Sequence, residues 1–371
     1  MKVGILTFPN STSYGASLQM YALYYTVKKL GHDAEIINYH NPYMKAGKHM
    51  TKAYAQRSLR DVVRFRARAV LHRRLEKNFR DFEQQNMKLV PAQAITHKAR
   101  LSLADARYDA AICGSDQVWN PNITDSDLSY FLDFCTDNTR RIAYAPSFGV
   151  DCLDGGFASA VSLELKRFAA LSVRERSGQS LMEEMTGQVV PIVVDPTMLL
   201  DAGEWSAQER EHSLGRGKYI LFYTVRSSPS LFSYCRALSE KTGMKIVIIG
   251  GNAIKKMRNR DPMMQFAVDV SPAEWLYLIH HAHYVVTNSF HGTAFSIIYR
   301  KNFYVEFSSD TNSRLAHITE MLGLQDRVVK NGMCDDDLQC DYSVAESKLP
   351  ALCRDSMRYL EDALREEVSH G

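Results

Sequence analysis

Residues 2–39 read KVGILTFPNSTSYGASLQMYALYYTVKKLGHDAEIINY, and this stretch decides the fold class. An apolar run, Lys2–Phe8, is followed by a helical segment, Gly15–Leu30, and then by Gly31, a typical C-terminal stop. A second apolar run, Ala34–Tyr39, comes next. Short apolar strands separated by helices are typical of parallel sheets covered on both faces. The sequence therefore predicts an α/β fold with doubly wound sheets.

The same alternation continues along the chain and restarts once, after a polar, glycine-containing stretch at 201–218. The remaining strands are predicted at Tyr108–Cys113, Arg141–Ala145, Leu171–Val173, Val189–Val194, Tyr219–Thr224, Met244–Ile249, His283–Thr287 and Asn302–Phe307. A charged helix near Val344–Val368 closes the chain. We therefore predict two Rossmann-like domains, 1–200 and 201–371, that face a cleft.

Composition restricts the class of protein. The 371 residues include 45% hydrophobic and 23% charged residues with a net charge of +3, so we expect a globular protein that does not bind nucleic acid. The seven cysteines form no C-x-x-C pair, which predicts neither a disulfide framework nor a zinc site. Because the sequence shows no secretory signal and no apolar run long enough to span a bilayer, we expect a cytoplasmic protein.

A basic helical insertion is predicted at about 50–86. Nine Lys or Arg residues and only two acidic residues lie from Arg57 to Arg80, with apolar residues between them. One interpretation is a pair of helices that pack on the domain and keep their charges in solvent. The other is a basic face that contacts an anionic membrane surface, at its inner side, or a phosphate-linked acceptor. The sequence leaves both interpretations open.

Ligands of open α/β sheets bind at the carboxyl ends of the strands, so the loops that follow strands hold the candidate site residues. The first such loop, PNSTSYG, leads into a helix and contributes Asn10, Tyr14 and Gly15. Backbone N–H groups at a helix start can bind an anion or a sugar hydroxyl, although a polar capping turn has the same composition. The loop matches neither G-x-G-x-x-G nor a P-loop, so it predicts no dinucleotide and no Walker-type ATP site.

The second loop, CGSDQVWNP, contributes Ser115, Asp116 and Trp119. Small and acidic residues there permit close approach of a ligand, and the Trp119 ring is a flat apolar wall of the kind on which sugars stack. The alternative is a strand-ending turn with a tryptophan in the core. The residues alone do not decide between the two.

Two further segments contain arginines. Arg174 and Glu175 follow a predicted strand, and the planar guanidinium of Arg174 suits a carboxylate or a phosphate, although a surface ion pair is the alternative. Arg314 follows a helix start and is a second candidate for binding an anion. The alternative is an arginine that faces solvent. Asp195 ends another strand, where capping of the next turn is the alternative to a ligand role.

The segment TNSFHGTA, residues 287–294, follows the strand that ends at Thr287. It places His291 in the first turn of a helix, beside Asn288, Ser289 and Gly292. A histidine at such a position suits both acid–base chemistry and anion binding, although a lone histidine is often structural. The surrounding hydroxyl groups favour the functional interpretation.

Together these stretches resemble the polysaccharide pyruvyl transferase family, from Lys2 to about Arg327. The resemblance is carried, in order, by Gly4–Gln19, Gly114–Asn120, Ser172–Glu175, Val194–Thr197, Thr287–Gly292, Ser313–Leu315, Leu322–Leu324 and Asp326–Arg327. It implies the GT-B architecture of glycosyltransferases. It also implies transfer of pyruvate from phosphoenolpyruvate to two hydroxyls of one sugar, free or lipid-linked, in surface glycan biosynthesis, without a cofactor or a metal.

The resemblance also implies roles for individual residues. The family histidine falls on His291, the principal acid–base group, and the donor-site arginine falls on Arg174, while Asp116 and Glu175 are the leading partners of the acceptor hydroxyl. Several members carry an arginine where this chain has Ser289. A second anion clamp must then come from elsewhere, and the candidates are Arg314 and Arg226.

Two other functions fit the same architecture. One is a nucleotide-sugar glycosyltransferase that holds a diphosphate with Gly250 and Gly251, after a strand of the second domain. The other is a carbohydrate-binding module without catalysis, which would bind sugar but consume no donor.

Overall fold

The computed structural model describes residues 1–46, 59–105, 107–249, 261–307, 312–330 and 339–365. Ten strands within this part of the chain form two five-stranded parallel sheets. The first sheet contains β1 (Lys2–Leu6), β2 (Asp33–Tyr39), β3 (Leu89–Ile95), β4 (Ala110–Cys113) and β5 (Arg140–Ala143). The second contains β6 (Tyr219–Tyr223), β7 (Lys245–Ile249), β8 (Met264–Ala267), β9 (Tyr284–Thr287) and β10 (Asn302–Val305).

Both sheets have the same topology. The first is ordered β3-β2-β1-β4-β5 and the second β8-β7-β6-β9-β10. If the strands of each sheet are numbered from one, both orders read 3-2-1-4-5. The central strands β1, β4, β6 and β9 are almost entirely buried, as expected of strands covered by helices on both faces. The predicted pair of doubly wound α/β domains is therefore confirmed.

The helices lie between these strands and after them. They are α1 (Tyr14–Lys29), α2 (Pro42–Ala46), α3 (Leu59–Asn86), α4 (Ser102–Asp105), α5 (Pro121–Thr124), α6 (Gly155–Leu165), α7 (Arg176–Thr186), α8 (Ala202–Ser206), α9 (Pro229–Thr242), α10 (Pro272–His281), α11 (Phe290–Ile298), α12 (Asn312–Met321) and α13 (Ser343–Leu364). Short 3₁₀ helices occur at Lys98–Arg100, Leu128–Phe131, Pro196–Leu199, Ser213–Gly215 and Gln325–Arg327. None of the described helices is long and apolar enough to cross a membrane.

The structure corrects the sequence at the sheet edges. The predicted strands Leu171–Val173 and Val189–Val194 form isolated bridges instead of strands. Val173 pairs with Ile192, and Ala170, just before the first segment, pairs with Ile142 of β5. Conversely, β3 and β8 were not predicted. They are edge strands, and three consecutive residues of β3 are exposed, so neither has the continuous apolar pattern of a central strand.

Packing between the domains is extensive. Tyr14 at the start of α1 stacks on Trp275 of α10, with 5.4 Å between ring centroids, and its hydroxyl donates to the Val270 carbonyl at 3.1 Å. Helix α13 follows the second sheet in sequence but contacts the first. There Tyr359 donates to the Ala143 carbonyl at 2.9 Å, and Ser356 accepts from the Val194 N–H at 3.0 Å. One hydrophobic cluster thus contains residues of both domains.

The part of the basic insertion that the structure describes forms one long helix, α3. Residues 47–58, which include Arg57, lie outside the described residues. Towards the end of α3, Phe79 and Phe82 are buried against α1 and the second domain. Arg73, Arg74 and their neighbours on the other side are exposed. The helix is therefore anchored by its apolar side and keeps a basic face in solvent.

Candidate active site

The carboxyl ends of the two sheets face each other, and their loops bring a group of ionisable side chains together. Ser115, Arg174 and Asp195 come from the first domain, and His291 and Arg314 come from the second. All five are at most 7% exposed. Such a concentration of buried charge between two domains is characteristic of a functional site rather than of a core.

Asp195 is the centre of this group. It caps the 3₁₀ helix Pro196–Leu199, where its Oδ1 accepts from the Thr197 N–H at 3.0 Å and from the Thr197 hydroxyl at 2.7 Å. Its Oδ2 accepts from Ser115 at 2.9 Å and from Nη1 of Arg174 at 2.5 Å. Burial favours the neutral acid, but His291 and Arg174 outweigh it, so the pKa of Asp195 lies well below its usual range.

Arg174 uses only part of its hydrogen-bonding capacity. Nη1 is bonded to Asp195, whereas Nε and Nη2 are buried and have no hydrogen-bond acceptor among the described residues. The nearest carboxylate oxygens, on Glu175 and Asp116, are 3.7 and 3.9 Å away, beyond hydrogen-bonding distance. The guanidinium also lies 4.5 Å from the centre of the Phe290 ring. Nε and Nη2 therefore have anionic neighbours but no hydrogen bond, and their coplanar N–H groups can donate to a bound anion.

His291 is placed by α11 and by two glycines. Ser289 caps the helix by accepting from the Gly292 N–H at 3.3 Å, which puts His291 in the first turn. A methyl group at Gly15 would overlap the His291 ring, and one at Gly292 would overlap Thr287, so both positions require glycine for close packing. Nε2 of His291 faces Oδ2 of Asp195 at 3.6 Å.

Glu175 and Asp116 lie beside Arg174 in different environments. Glu175 is fully buried, and its Oε1 accepts from Ser147 at 2.7 Å. Burial raises the pKa of Glu175, although Arg174 and Arg314 oppose the change. Asp116 is partly exposed and has a positive φ of 77°, at a sharp turn directly after β4.

Arg314 reaches the group from the start of α12. Burial and the positive charge of Arg174 lower the pKa of its guanidinium, while Glu175, Asp116 and Asp195 oppose this. When the side-chain amide oxygen of Gln117 is directed at Arg314, it accepts from Nη2 at 3.1 Å. The two guanidinium groups repel each other, and the three carboxylates offset this repulsion.

Other predicted residues have structural contacts. Asn288 ties β9 to the loop after β6, since it accepts from the Val225 N–H and donates to the Arg226 carbonyl, both at 3.0 Å. Arg226 itself is exposed. Asn10 donates its N–H to Glu83 at 3.0 Å and its side chain contacts His40, on the β2 side of the first loop.

Trp119 corrects a prediction. Its ring is fully buried, stacks on Phe131 with 4.9 Å between centroids, and donates its indole N–H to the Tyr130 carbonyl at 3.0 Å. It therefore has no face on which a sugar can stack. Tyr14 is likewise buried between the domains, and its hydroxyl is bonded to backbone. Both aromatic residues support the loops in which they lie.

Sequence reasoning missed Gln117 and left Asp195 undecided between a ligand role and a cap. Asp195 is a cap, but only one of its oxygens is used for capping. Asp195 lies at the end of an apolar run, which is the same signal that selected Arg174. That signal indicated its role in the site. Gln117 carried no signal, because a neutral amide in a loop has no chemistry that points to an anion site.

A second ionisable cluster lies at the opposite end of α11. Glu209, His280 and His281 place metal-ligating atoms within 4.8 Å of one another. Both Nδ1 atoms already have partners. Nδ1 of His280 lies 2.8 Å from a carboxylate oxygen of Glu209, and Nδ1 of His281 lies 3.0 Å from the Tyr277 carbonyl. Tyr299 also bonds to Glu209, at 3.1 Å. These contacts account for the cluster as packing between α8 and α10.

The fold and the cleft define the class of protein, the GT-B architecture. The chain is similar to UDP-GlcNAc 2-epimerase of Methanocaldococcus jannaschii, solved with UDP-GlcNAc and UDP, with a TM-score of 0.52 and 12% identity over 98% of this chain and 99% of that one. A putative UDP-N-acetylglucosamine 2-epimerase of Listeria monocytogenes gives a TM-score of 0.53 and 10% identity over 97% and 90%. At such identities the likeness shows the fold alone.

The sequence defines the family. The model of the family described as polysaccharide pyruvyl transferase matches residues 14–305, which include Arg174, Asp195 and His291. The chain therefore belongs to the polysaccharide pyruvyl transferase family. None of the curated proteins has a sequence that matches it significantly.

Proposed function

We propose that this protein transfers pyruvate from phosphoenolpyruvate to two hydroxyls of one sugar, as a cyclic ketal, in surface glycan biosynthesis. The observation that carries the proposal is that Nε and Nη2 of Arg174 have no hydrogen bond, although they are buried beside Arg314 and His291. Phosphoenolpyruvate has two anionic groups, a carboxylate and a phosphate. Two guanidinium groups and one imidazole are a matching set of partners.

The reaction can be written with its atoms balanced. A proton adds to the methylene carbon of phosphoenolpyruvate, and the oxygen of one sugar hydroxyl bonds to the neighbouring carbon. The bond from that carbon to the phosphate oxygen breaks, and the oxygen of the second hydroxyl replaces it. The proton of one hydroxyl returns to the group that protonated the methylene carbon, and the proton of the other hydroxyl leaves with phosphate. No redox step occurs, so no cofactor is needed.

Each residue has a proposed role in this sequence. Arg174 binds one anionic group through Nε and Nη2. Arg314 binds the other, and so replaces the arginine that several family members carry at the position of Ser289. His291 gives the proton to carbon and later accepts one from a hydroxyl. Glu175 and Asp116 orient the acceptor hydroxyls, and the raised pKa of Glu175 suits it to accept a proton. Because the cluster is buried, we infer that the domains separate for substrate entry.

The acceptor is proposed to be a lipid-linked sugar at the cytoplasmic face of the membrane. The exposed basic side of α3 supports this, because cations attract both anionic lipid and a pyrophosphate linker. We propose that the loop before α1, which contains Asn10, borders the acceptor. Tyr14 and Gly15 are the first two residues of the helix that this loop enters. Arg226, exposed on the opposite side, is the proposed contact of the second domain.

The decisive experiment measures phosphate release from phosphoenolpyruvate with and without free and lipid-linked glycans. Acceptor-dependent release is the expected result. Thermal shift provides the binding test, since a ligand at 100 times its dissociation constant should stabilise the protein by about 2.7 kcal/mol. Stabilisation by UDP-GlcNAc but not by phosphoenolpyruvate would instead favour the nucleotide-sugar alternative, whose Gly250 and Gly251 lie outside the described residues. Sugar binding without phosphate release would favour the binding module.

A further inference from the structure

The carboxylate of Asp195 is fixed more firmly than its neighbours. Two hydrogen bonds from Thr197 hold Oδ1, and bonds from Ser115 and Arg174 hold Oδ2. All of these donors belong to the first domain. The carboxylate therefore has a defined direction when it faces His291 of the second domain, and the His291 ring must adapt to it rather than the reverse.

The two nitrogens of the His291 ring have different surroundings. Nε2 faces Oδ2 of Asp195 at 3.6 Å, and it is buried without another partner in the part of the chain that the structure describes. Nδ1 is the ring atom nearest to the place where a Cβ of Gly15 would lie. A carboxylate that faces one imidazole nitrogen holds the proton there and leaves the lone pair on the other.

We propose that Asp195 positions His291 for catalysis, by keeping the proton on Nε2 so that Nδ1, which lies beside Gly15 at the start of α1, exchanges protons with the substrate. This assignment rests on the proposed function. It adds which carboxylate orients the ring and which ring nitrogen transfers the proton. In the acid step, Nδ1 of the protonated ring gives its proton to the methylene carbon. Nδ1 then takes the proton of the attacking hydroxyl, which restores the ring, while the Nε2 proton stays directed at Asp195.

The charges around this pair support a constant orientation. Arg174 lies on the first-domain side of Asp195, Arg314 approaches from α12, and Tyr144 lies behind it. Burial alone would favour a neutral Asp195, yet the cations keep its pKa well below the usual range. Asp195 therefore remains an anion opposite His291. The 3.6 Å separation is longer than a hydrogen bond, so without substrate the attraction between the carboxylate and the Nε2 proton is electrostatic.

The tautomer can be measured without substrate. Protein labelled with ¹⁵N at histidine, with His291→Gln used to assign the signal, gives the imidazole shifts across a pH titration. We expect the neutral ring of His291 to carry its proton on Nε2, and Asp195→Asn to remove that preference. A wild-type ring protonated on Nδ1 would overturn the proposal, even if the variant fails to fold.

Kinetics of Asp195→Asn separate positioning from structure. We expect kcat to fall on the order of 10²–10⁴-fold per folded molecule, with the pH profile of the remaining activity shifted. If Asp195 acted only through Arg174, KM would rise while kcat and the tautomer stayed unchanged, and the proposal would be wrong. Glu164→Gln is the matched control, because it removes the carboxylate 3.0 Å from the buried Arg141, at the amino end of β5. It should leave kcat unchanged.

Failure of the proposed function has a different signature. In that case, wild-type protein would release no phosphate from phosphoenolpyruvate with any acceptor. The tautomer of His291 and its loss in Asp195→Asn would still be readable by ¹⁵N shifts.

Discussion

The two sheets share one strand order, yet their carboxyl edges contribute different chemistry to the cleft. The first edge carries a network of buried charges, with Asp195 bonded to Arg174 and Glu175 beside them. The second edge, at Asn288–Gly292, carries one imidazole, while Asn288 and Ser289 are occupied in backbone bonds and capping. The same topology thus supports a rigid charged surface in one domain and a titrating group in the other.

Opposite charges that are buried together stay in place, because breaking a buried pair leaves an unpaired charge. A single ring held by packing against glycine has no such constraint, and its orientation depends on what it faces. The comparison therefore predicts different consequences for substitutions on the two edges. Loss of His291 on the second edge removes the chemistry itself, whereas on the first edge loss of Arg174 weakens donor binding and loss of Asp195 removes the orientation of His291.

The largest effect is expected for His291→Gln, on the second edge. Glutamine keeps similar reach but cannot titrate, so kcat should fall on the order of 10²–10⁴-fold while the melting temperature changes little. Both kinetic constants and the melting temperature should be measured on one preparation. A variant that melts early and turns over normally would make His291 a core residue. A rise in KM alone would make it a phosphate ligand.

Gly15→Ala tests whether packing alone positions the ring. The added methyl group overlaps His291, so the ring must shift, and a displacement of about 1 Å can cost about 10²-fold in rate. Gly155→Ala is the control, because a methyl group at that helical position meets nothing within 4 Å. Normal kcat in Gly15→Ala would show that the ring adapts and that the two edges differ less than proposed.

Arg174→Lys tests the first edge. Lysine keeps the charge near Asp195 but lacks the planar pair of N–H groups, and charge-assisted hydrogen bonds contribute about 1.5–3 kcal/mol each. We expect KM for phosphoenolpyruvate to rise roughly 10–100-fold with a smaller change in kcat. Arg176→Lys, at the exposed neighbour on α7, should change neither constant. An unchanged KM in Arg174→Lys would remove Arg174 from the donor site.

Glu83→Gln sharpens the comparison within the first domain, because Glu83 is a buried carboxylate without the cations that surround Asp195. Burial raises the pKa of Glu83 to about 7, against hydrogen bonds from Ser17 and Asn10. A raised folded-state pKa contributes stability that is present at acid pH and is lost as pH rises from about 4.5 through about 7. The wild type should therefore lose on the order of 3 kcal/mol relative to Glu83→Gln between pH 4 and pH 8.

Denaturant unfolding of both proteins across this range checks the prediction. Glu240→Gln, at an exposed position on α9, should show no such trend. A stability difference between wild type and Glu83→Gln that does not change with pH would mean that Glu83 is ionised in the same way in both states.

The smallest effect is expected for the basic side of α3. Changing Arg73 and Arg74 to Gln should weaken co-sedimentation with anionic liposomes by about 1 kcal/mol per cation, and less at high salt because the Debye length shortens. The matched control changes Arg354 and Arg358, two exposed arginines on α13. Equal losses in both double variants would indicate general charge attraction rather than a docking face.

Much of this organisation could be predicted from the sequence. The strand–helix alternation, repeated after 201–218, predicted both sheets, because buried parallel strands need continuous apolar runs. The edge strands β3 and β8 could not be found, since Pro91, Gln93 and Gln265 interrupt their apolar runs. The strands at the opposite edges, β5 and β10, keep short apolar runs and were predicted. Arg174 and His291 were found because each follows a strand and has a side chain with distinctive chemistry.

What the sequence by itself determined is the set of local signals: apolar runs, glycine stops, and charged or titratable residues where strands end. Only the tertiary structure decided which of these signals meet. It buried Trp119 in the core, brought Arg314 to the cleft, and joined Asp195 to both Arg174 and His291. The physical reason is that periodicity depends on neighbours along one chain segment. Contacts between residues about a hundred positions apart depend instead on how two finished domains pack.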